Sequence, residues 1–260
     1  MQRLTPLVKN LLIINVGCFL AQSLLGFDLI DAFGLRDVLS DHFKPYQFFT
    51  HLFVHANFSH LLSNMFALFM FGPILENTLG YRPFLAFYII TGIGAAVLYS
   101  GIHYLEVSRM EAIYHAYLAN PDPESFNTYL NKFAYDMYTS FYNFVNAFFD
   151  HPNDEAYIAK SKAIVHKFYK LKADMPIVGA SGAIFGILIA FAMLFPNVEL
   201  LMLFVPIPIK AKYFVTFYGV YELYAGIQAN PGDNVAHFAH LGGLLFGYLF
   251  IKEWKKKHPY

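Results

Sequence analysis

Six long apolar stretches, separated by shorter segments that carry most of the charge, dominate the chain. Each has about the 17–25 mostly apolar residues that a helix needs to cross the hydrocarbon core of a membrane. Because backbone groups in lipid must bond to one another, such stretches predict membrane-spanning helices. The predicted spans are 8–27, 56–76, 83–105, 179–195, 211–228 and 235–251.

The pattern therefore predicts an all-α polytopic membrane protein with six transmembrane helices in one domain, 1–260. The fourth span is short for a full crossing, which suits a helix that starts below the membrane surface. Residues 196–209 are also apolar, but Pro206 and Pro208 interrupt them, so we predict an interfacial or re-entrant connection there.

Composition supports this class of protein. The chain is 57% hydrophobic and only 14% charged, which is too apolar for an ordinary soluble domain. Its 18 basic and 18 acidic residues cancel, so no nucleic-acid partner is indicated. A single cysteine, Cys18, excludes an internal disulfide and is read as a packing residue.

The distribution of lysine and arginine orients the bundle, because cytoplasmic loops are enriched in them. The first loop, 28–55, holds two basic residues against four aspartates, and we place it outside. We expect a multi-pass protein of a bacterial inner membrane with cytoplasmic termini. The basic residues then inside are Arg3, Lys9, Arg82, Lys210, Lys212, Lys252, Lys255, Lys256 and Lys257.

Residues 106–174 differ in composition from the rest and form a predicted extramembrane insert between the third and fourth helices. They carry seven of the basic and nine of the acidic residues. We expect either a helical hairpin that packs its aromatics against itself or the outer bilayer surface, or an element that binds or gates substrates. Apolar residues at helical spacing predict one amphipathic helix here: Phe126, Leu130, Phe133, Met137, Phe141, Phe144 and Phe148.

The motif GASG at 179–182 opens the fourth apolar stretch. A serine at membrane depth is costly unless its hydroxyl has a partner or faces water. A partner is available in the motif AHLGG at 239–243, within the last stretch. Ser181 and His240 therefore suggest a nucleophile and its general base.

Together with the motif HLLSN at 60–64, these two motifs resemble those of the rhomboid intramembrane serine proteases. Each motif is short, but all three occur in the family's order and on separate spans. The resemblance covers 1–105 and 175–260, and it implies a six-helix bundle that cleaves membrane-anchored protein substrates near the outer membrane face. It also implies a catalytic Ser-His dyad and no cofactor.

The resemblance assigns His60 and Asn64 to stabilisation of the oxyanion, a role that an amide donor can fill. We expect the helices that carry Ser181 and His240 to approach closely, because small residues line both, and Phe185 to stack on His240. The supporting residues are thus Gly179, Gly182, Phe185, Gly243 and Gly247.

Alternatives remain at this stage. His237 lies one turn before His240 and is the rival base. Several histidines could be read as a zinc cluster, but no HExxH arrangement, cysteine pair or nearby carboxylate cluster supports one, so we predict no metal. The alternative function is a catalytically silent relative that binds membrane proteins. The sequence does not indicate an oligomeric state.

Overall fold

The computed structural model describes residues 4–202, 205–228 and 235–258 and is mostly helical. All six predicted apolar stretches form helices, which are α1, α4, α5, α9, α10 and α11. The helices are α1 (Pro6–Leu25), α2 (Leu29–Phe33), α3 (Gln47–Thr50), α4 (Phe58–Leu79), α5 (Tyr81–Ala119), α6 (Pro123–Phe133), α7 (Tyr138–Asp150), α8 (Glu155–Asp174), α9 (Ser181–Leu194), α10 (Ala211–Gln228) and α11 (His237–Lys257).

Three of these helices, α1, α4 and α5, are long and apolar enough to cross a membrane. Helix α9 is also apolar but has only 14 residues. That length is about 21 Å, against a hydrocarbon core of about 30 Å. The other two helices are less apolar. Helix α10 contains several tyrosines and Glu222, and helix α11 contains histidines and ends in lysines.

Helix α9 lies at the centre of the bundle because it is apolar on every face. Helices α4, α5, α10 and α11 all pack against it, and ten of its 14 residues are buried. The main core is built around it from side chains of α1, α4, α5 and α11. The first residue of this central helix is Ser181.

Glycines allow α9 and α11 to pack at backbone distance. A Cβ atom on Gly243 would overlap the carbonyl oxygen of Gly182 and lie 3.0 Å from its carbonyl carbon. One turn later, a Cβ on Gly247 would lie 2.9 Å from the Cα of Gly186. Neither position accepts a side chain without separating the two helices.

A buried carboxylate fixes the start of α1 to the end of α4. Glu76, which is 5% exposed, accepts hydrogen bonds from the backbone N–H groups of Leu7 and Val8 at 3.1 and 3.0 Å. These N–H groups have no partner within their own helix, and a negative charge is favourable at a helix N-terminus.

Helix α5 extends well beyond the predicted span 83–105. It runs without a break to Ala119 and has 39 residues, or about 58 Å of helix. Its second half leaves the main core and packs with α6 and α8 instead. The predicted span 83–105 thus covers only the first part of this helix, which continues through charged residues that a membrane span excludes.

The prediction of a single amphipathic helix over 126–148 is wrong. A 3₁₀ turn at Tyr135–Met137 divides it into α6 and α7. The division lets Phe126 contact Phe144, with ring centroids 5.6 Å apart. In one continuous helix these residues would be about 27 Å apart along the axis. Met137, at the turn, is 49% exposed.

The insert contains a core of its own, formed by α6, α7, α8 and the second half of α5. The buried tyrosines of this core form hydrogen bonds through their hydroxyl groups. Tyr129 donates to the carbonyl of Val165 at 3.2 Å, and the Tyr117 hydroxyl lies 2.5 Å from that of Ser161. Among the residues at its centre, Phe126, Tyr129, Leu130, Phe148 and Val165 are at most 1% exposed.

Polar contacts join the end of α8 to the loop between α1 and α4. Arg36 donates to the carbonyl of Asp174, and the Asp174 carboxylate accepts from the Ser40 hydroxyl at 2.5 Å. Lys170 pairs with Asp41 and holds the pKa of that carboxyl below its usual range. The insert is therefore attached to the first loop as well as to α5.

Between α9 and α10 the chain forms a short antiparallel hairpin of β1 (Glu199–Met202) and β2 (Val205–Lys210). The sequence predicted only an interfacial connection here. Pro206 and Pro208 are two residues apart, so both positions without an N–H face the same edge of β2. That edge can remain unpaired, because neither proline has an N–H group that would need a partner.

We predict that Gly243→Ala destabilises the protein by about 1–3 kcal/mol, the usual cost of overpacking, and separates α9 from α11. Thermal unfolding in detergent measures the effect. Gly101→Ala in α5 is the matched control, because no atom lies within 4 Å of its added Cβ. The control should be neutral or stabilising by up to about 1 kcal/mol. Equal unfolding temperatures for both variants would contradict close packing at Gly243.

Candidate active site

The segment before Ser181 is held in place by the first loop. Ile177 and Leu35 exchange two backbone hydrogen bonds at 2.8 and 2.9 Å, and the N–H of Gly179 donates to the carbonyl of His51 at 2.9 Å. Gly179 has φ +117°, a conformation that favours glycine. The turn leads directly into α9, whose first N–H groups have no partner within the helix.

His60 and Asn64 lie against this turn. A Cβ on Gly179 would lie 2.5 Å from two atoms of the His60 ring and 3.6 Å from Nδ2 of Asn64. Asn57 caps α4 by accepting the N–H of His60 at 2.9 Å, which fixes the helix start. The Asn64 amide is buried and its Nδ2 has no hydrogen-bond partner among the described residues.

His240 faces the first turn of α9. Its ring stacks on that of Phe185, with centroids 4.1 Å apart and planes inclined by 11°. Phe185 lies one turn after Ser181, so the stacking places the imidazole beside the start of α9. On the other side of the turn, the His60 ring packs against Gly179, two residues before Ser181. The residues of all three motifs therefore converge on one site.

A carboxylate from a third helix completes the site. Glu222 of α10 is 2% exposed, and its Oε2 lies 2.9 Å from Nδ1 of His240 and 2.6 Å from Nδ1 of His237. A buried carboxylate is stable only when it is paired and hydrogen-bonded. Both histidines of the AHLGG region thus share one acceptor, but only His240 also stacks on Phe185.

No hydrogen bond joins the Ser181 hydroxyl to His240 among the bonds that the described side chains form. Such contacts are often long in the absence of substrate and shorten when it binds. The arrangement brings a helix-start hydroxyl, an imidazole with its Nδ1 on a carboxylate, and a buried amide donor to one place. These are the components of acyl transfer through a serine nucleophile.

A family model for the rhomboid domain matches residues 42–109 and 141–252 of this chain. The match covers more than half of the 260 residues. The chain belongs to the rhomboid family. The match begins later than the resemblance found in the sequence, and unlike it includes most of α7 and all of α8.

Two curated rhomboid relatives are similar to part of the chain. Rhomboid-like protein 11, chloroplastic, from Arabidopsis thaliana is 36% identical over 87 residues, which are 33% of this chain and 29% of that protein. Rhomboid protein 1, mitochondrial, from Saccharomyces cerevisiae is 36% identical over 84 residues, 32% of this chain and 24% of that protein. The matched segments thus span less than a third of either relative. No solved structure matches.

Sequence reasoning missed Glu222 because the rhomboid motifs lie on other helices. Neither of the predicted spans that carry Ser181 and His240 contains an acid, and the acid nearest to His240 in the sequence is Asp233, in the preceding loop. We also expect water to reach the site through the loop 228–234, but Asp233 and the rest of 229–234 lie outside the described residues. The available signal was a lone glutamate inside an apolar helix, which by default indicates a functional residue.

Two buried histidines of the first loop contact residues of the site. His51 holds Gly179 through its carbonyl, and the His55 ring packs 5.1 Å from that of His60. Burial lowers the pKa of His51 to about 4 and that of His55, which also lies near His60, to about 3. Both are therefore neutral in the folded protein at pH 7.

We predict that acid destabilises this loop. An unfolded histidine has a pKa of about 6.5, so the unfolded chain takes up protons first as the pH falls. The stability that depends on neutral His51 and His55 is complete above about pH 6.5 and decreases below it. Each should contribute about 1.4 kcal/mol per pH unit down to about pH 4.

Chemical denaturation in detergent between about pH 7 and pH 4.5 measures this slope. His55→Leu should make it shallower by one histidine's contribution, and His42→Gln, which removes an exposed histidine, is the matched control. A slope that His55→Leu leaves unaltered would show that the burial of this ring does not govern the acid sensitivity.

Proposed function

We propose that this rhomboid protein is an intramembrane serine protease that hydrolyses peptide bonds of membrane-anchored proteins. Ser181 is the nucleophile and His240 is the general base. The observation that carries the proposal is the position of His240, which stacks on Phe185 beside the first turn of the Ser181 helix while its Nδ1 faces a buried carboxylate.

The chemistry follows from this arrangement. With Nδ1–H donated to Glu222, the neutral imidazole keeps Nε2 free to accept a proton. Nε2 takes the proton of the Ser181 hydroxyl as its oxygen attacks the scissile carbonyl, and returns it to the leaving amine. A water molecule then hydrolyses the acyl-enzyme by the same proton path in reverse.

The tetrahedral intermediate needs donors for its negative oxygen. Asn64 offers a buried Nδ2 to which no other described residue hydrogen-bonds, and the Ser181 backbone N–H lies at a helix start. His60, against Gly179, is the third candidate. Because the donors are already in place, they need little reorganisation when charge develops.

Glu222 modifies the mechanism that the sequence suggested. A Ser-His dyad was expected because neither of the predicted spans with these motifs, 179–195 and 235–251, contains an acid. We propose that Glu222 is a positioning residue, which sets the tautomer of His240 and stabilises the imidazolium that forms during attack. Asp and Glu play this role for the histidine of soluble serine hydrolases.

For the membrane arrangement, we propose six spans with Ser181 near the face opposite both termini. The short α9 then starts below that face, and the insert lies on the same side. The names of the two relatives refer to chloroplasts and mitochondria, so they lend no support to the bacterial inner membrane that the sequence analysis expected. The lipid bilayer and membrane-anchored substrates are the proposed partners.

We predict that Ser181→Ala and His240→Ala each abolish cleavage of a model single-span substrate, while the folded protein is retained in detergent. A fluorophosphonate should label Ser181 covalently in the wild type only. His237→Ala, on the same helix and the same carboxylate, should lose less activity because His237 does not stack on Phe185. Cleavage by Ser181→Ala would refute the assignment, and a wild type without any cleavage or labelling would favour a catalytically silent relative.

We predict that Glu222→Gln lowers kcat on the order of 10²–10⁴-fold, the range seen when an orienting carboxylate is lost. KM should change little, because Glu222 does not contact substrate in this proposal. Steady-state kinetics with the single-span substrate measure both constants. Glu253→Gln, at an exposed glutamate of α11, is the matched control. If both variants kept the wild-type kcat, Glu222 would have no positioning role.

A further inference from the structure

The cluster of Glu222, His237 and His240 has more ligating capacity than catalysis requires. One imidazole nitrogen from each histidine and one carboxylate oxygen lie within 4.8 Å of one another. The side chains are 3%, 8% and 11% exposed. A single histidine is sufficient as a base, so the reaction proposed above does not explain why the second one points at the same oxygen.

The geometry of the cluster is close to that of a metal site. In a tetrahedral zinc site with bonds of about 2.0–2.1 Å, ligand atoms are about 3.3 Å apart. The Nδ1 atoms of the two histidines lie 2.6 and 2.9 Å from Oε2 of Glu222. A displacement of a few tenths of an ångström on each side would open the cluster to that size.

We propose that Glu222, His237 and His240 bind a divalent transition-metal ion, with Zn²⁺ the best match, and that the bound ion switches off the active site. Two imidazoles and one carboxylate suit zinc, whereas magnesium and calcium prefer oxygen ligands. No metal was predicted from the sequence, because the carboxylate that joins the two histidines comes from another helix. The inhibitory part rests on the proposed protease function, but binding of the ion does not.

Inhibition follows from the single proton of a neutral imidazole. Without the ion, that proton lies on Nδ1 of His240 and is donated to Glu222, so Nε2 is free. When a metal binds Nδ1, the proton must move to Nε2. Nε2 then cannot accept the proton of Ser181, and the general base is lost. The same transfer from Nδ1 to Nε2 in His237 keeps the proton count unchanged.

Activity measurements test the regulatory part on the full chain in detergent. Cleavage should fall as ZnCl₂ is added, recover with EDTA, and be unaffected by MgCl₂. His237→Gln removes one ligand, so half-inhibition should require at least about tenfold more Zn²⁺, the lower end of what losing even an outer-shell partner costs a metal site. Each variant is normalised to its own metal-free rate. His151→Gln, at an exposed histidine of the insert, is the matched control.

Direct binding separates this proposal from the protease assignment. In the inactive Ser181→Ala protein, added Co²⁺ should give visible absorption bands, which disappear when Zn²⁺ displaces the bound Co²⁺. The bands should be weaker in the double variants Ser181→Ala/His237→Gln and Ser181→Ala/Glu222→Gln. Absence of such bands, an active wild type that Zn²⁺ does not inhibit, or equal zinc sensitivity of wild type and His237→Gln would overturn the metal site. If the wild type cleaves nothing but the Co²⁺ bands behave as expected, the protease function fails and the binding site stands.

Discussion

The close contact between α9 and α11 is the constraint on which the rest of the molecule depends. Gly182 meets Gly243, and one turn later Gly186 meets Gly247, so the two backbones touch at two levels. Lipid tails are as apolar as the side chains, and membrane helices therefore gain mainly from such close packing. This contact brings His240 to the end of α9 where Ser181 lies.

Both buried carboxylates inside this apolar bundle are paired, and the pairing links helices that are distant in sequence. Glu222 connects α10 to α11 through two histidines, and Glu76 connects α4 to the start of α1. A buried carboxylate without partners would be costly, so these contacts also fix how the helices sit against one another. Other buried side-chain atoms have no hydrogen-bond partner among the described residues, and one of them, Nδ2 of Asn64, faces the turn before Ser181.

The sequence predicted the positions of the apolar helices well, because these depend on local patterns. Apolar runs located all six core helices to within a few residues at their starts, and glycine spacing indicated where two of them approach. It could not predict that Glu222 contacts the histidines of α11, because the face of α10 that packs against α11 is decided by tertiary packing. It also missed the extension of α5 and the break near Met137, because periodicity does not reveal where a helix folds back to bury its own aromatic residues.

The insert is connected to the segment before Ser181 more directly than its position in the sequence suggests. Helix α8 ends at Asp174, whose side chain and carbonyl are held by Ser40 and Arg36 of the first loop. Five residues later, Gly179 is held by His51 of the same loop. The chain between these points is short and pinned at both ends, with the Leu35–Ile177 bridge in the middle. Any displacement of α8 must therefore be absorbed by the first loop or transmitted to the turn that presents Ser181. Since the exposed Lys170–Asp41 pair adds little stability on its own, the buried contacts of Arg36 and Leu35 are the ones that couple the insert to the candidate active site.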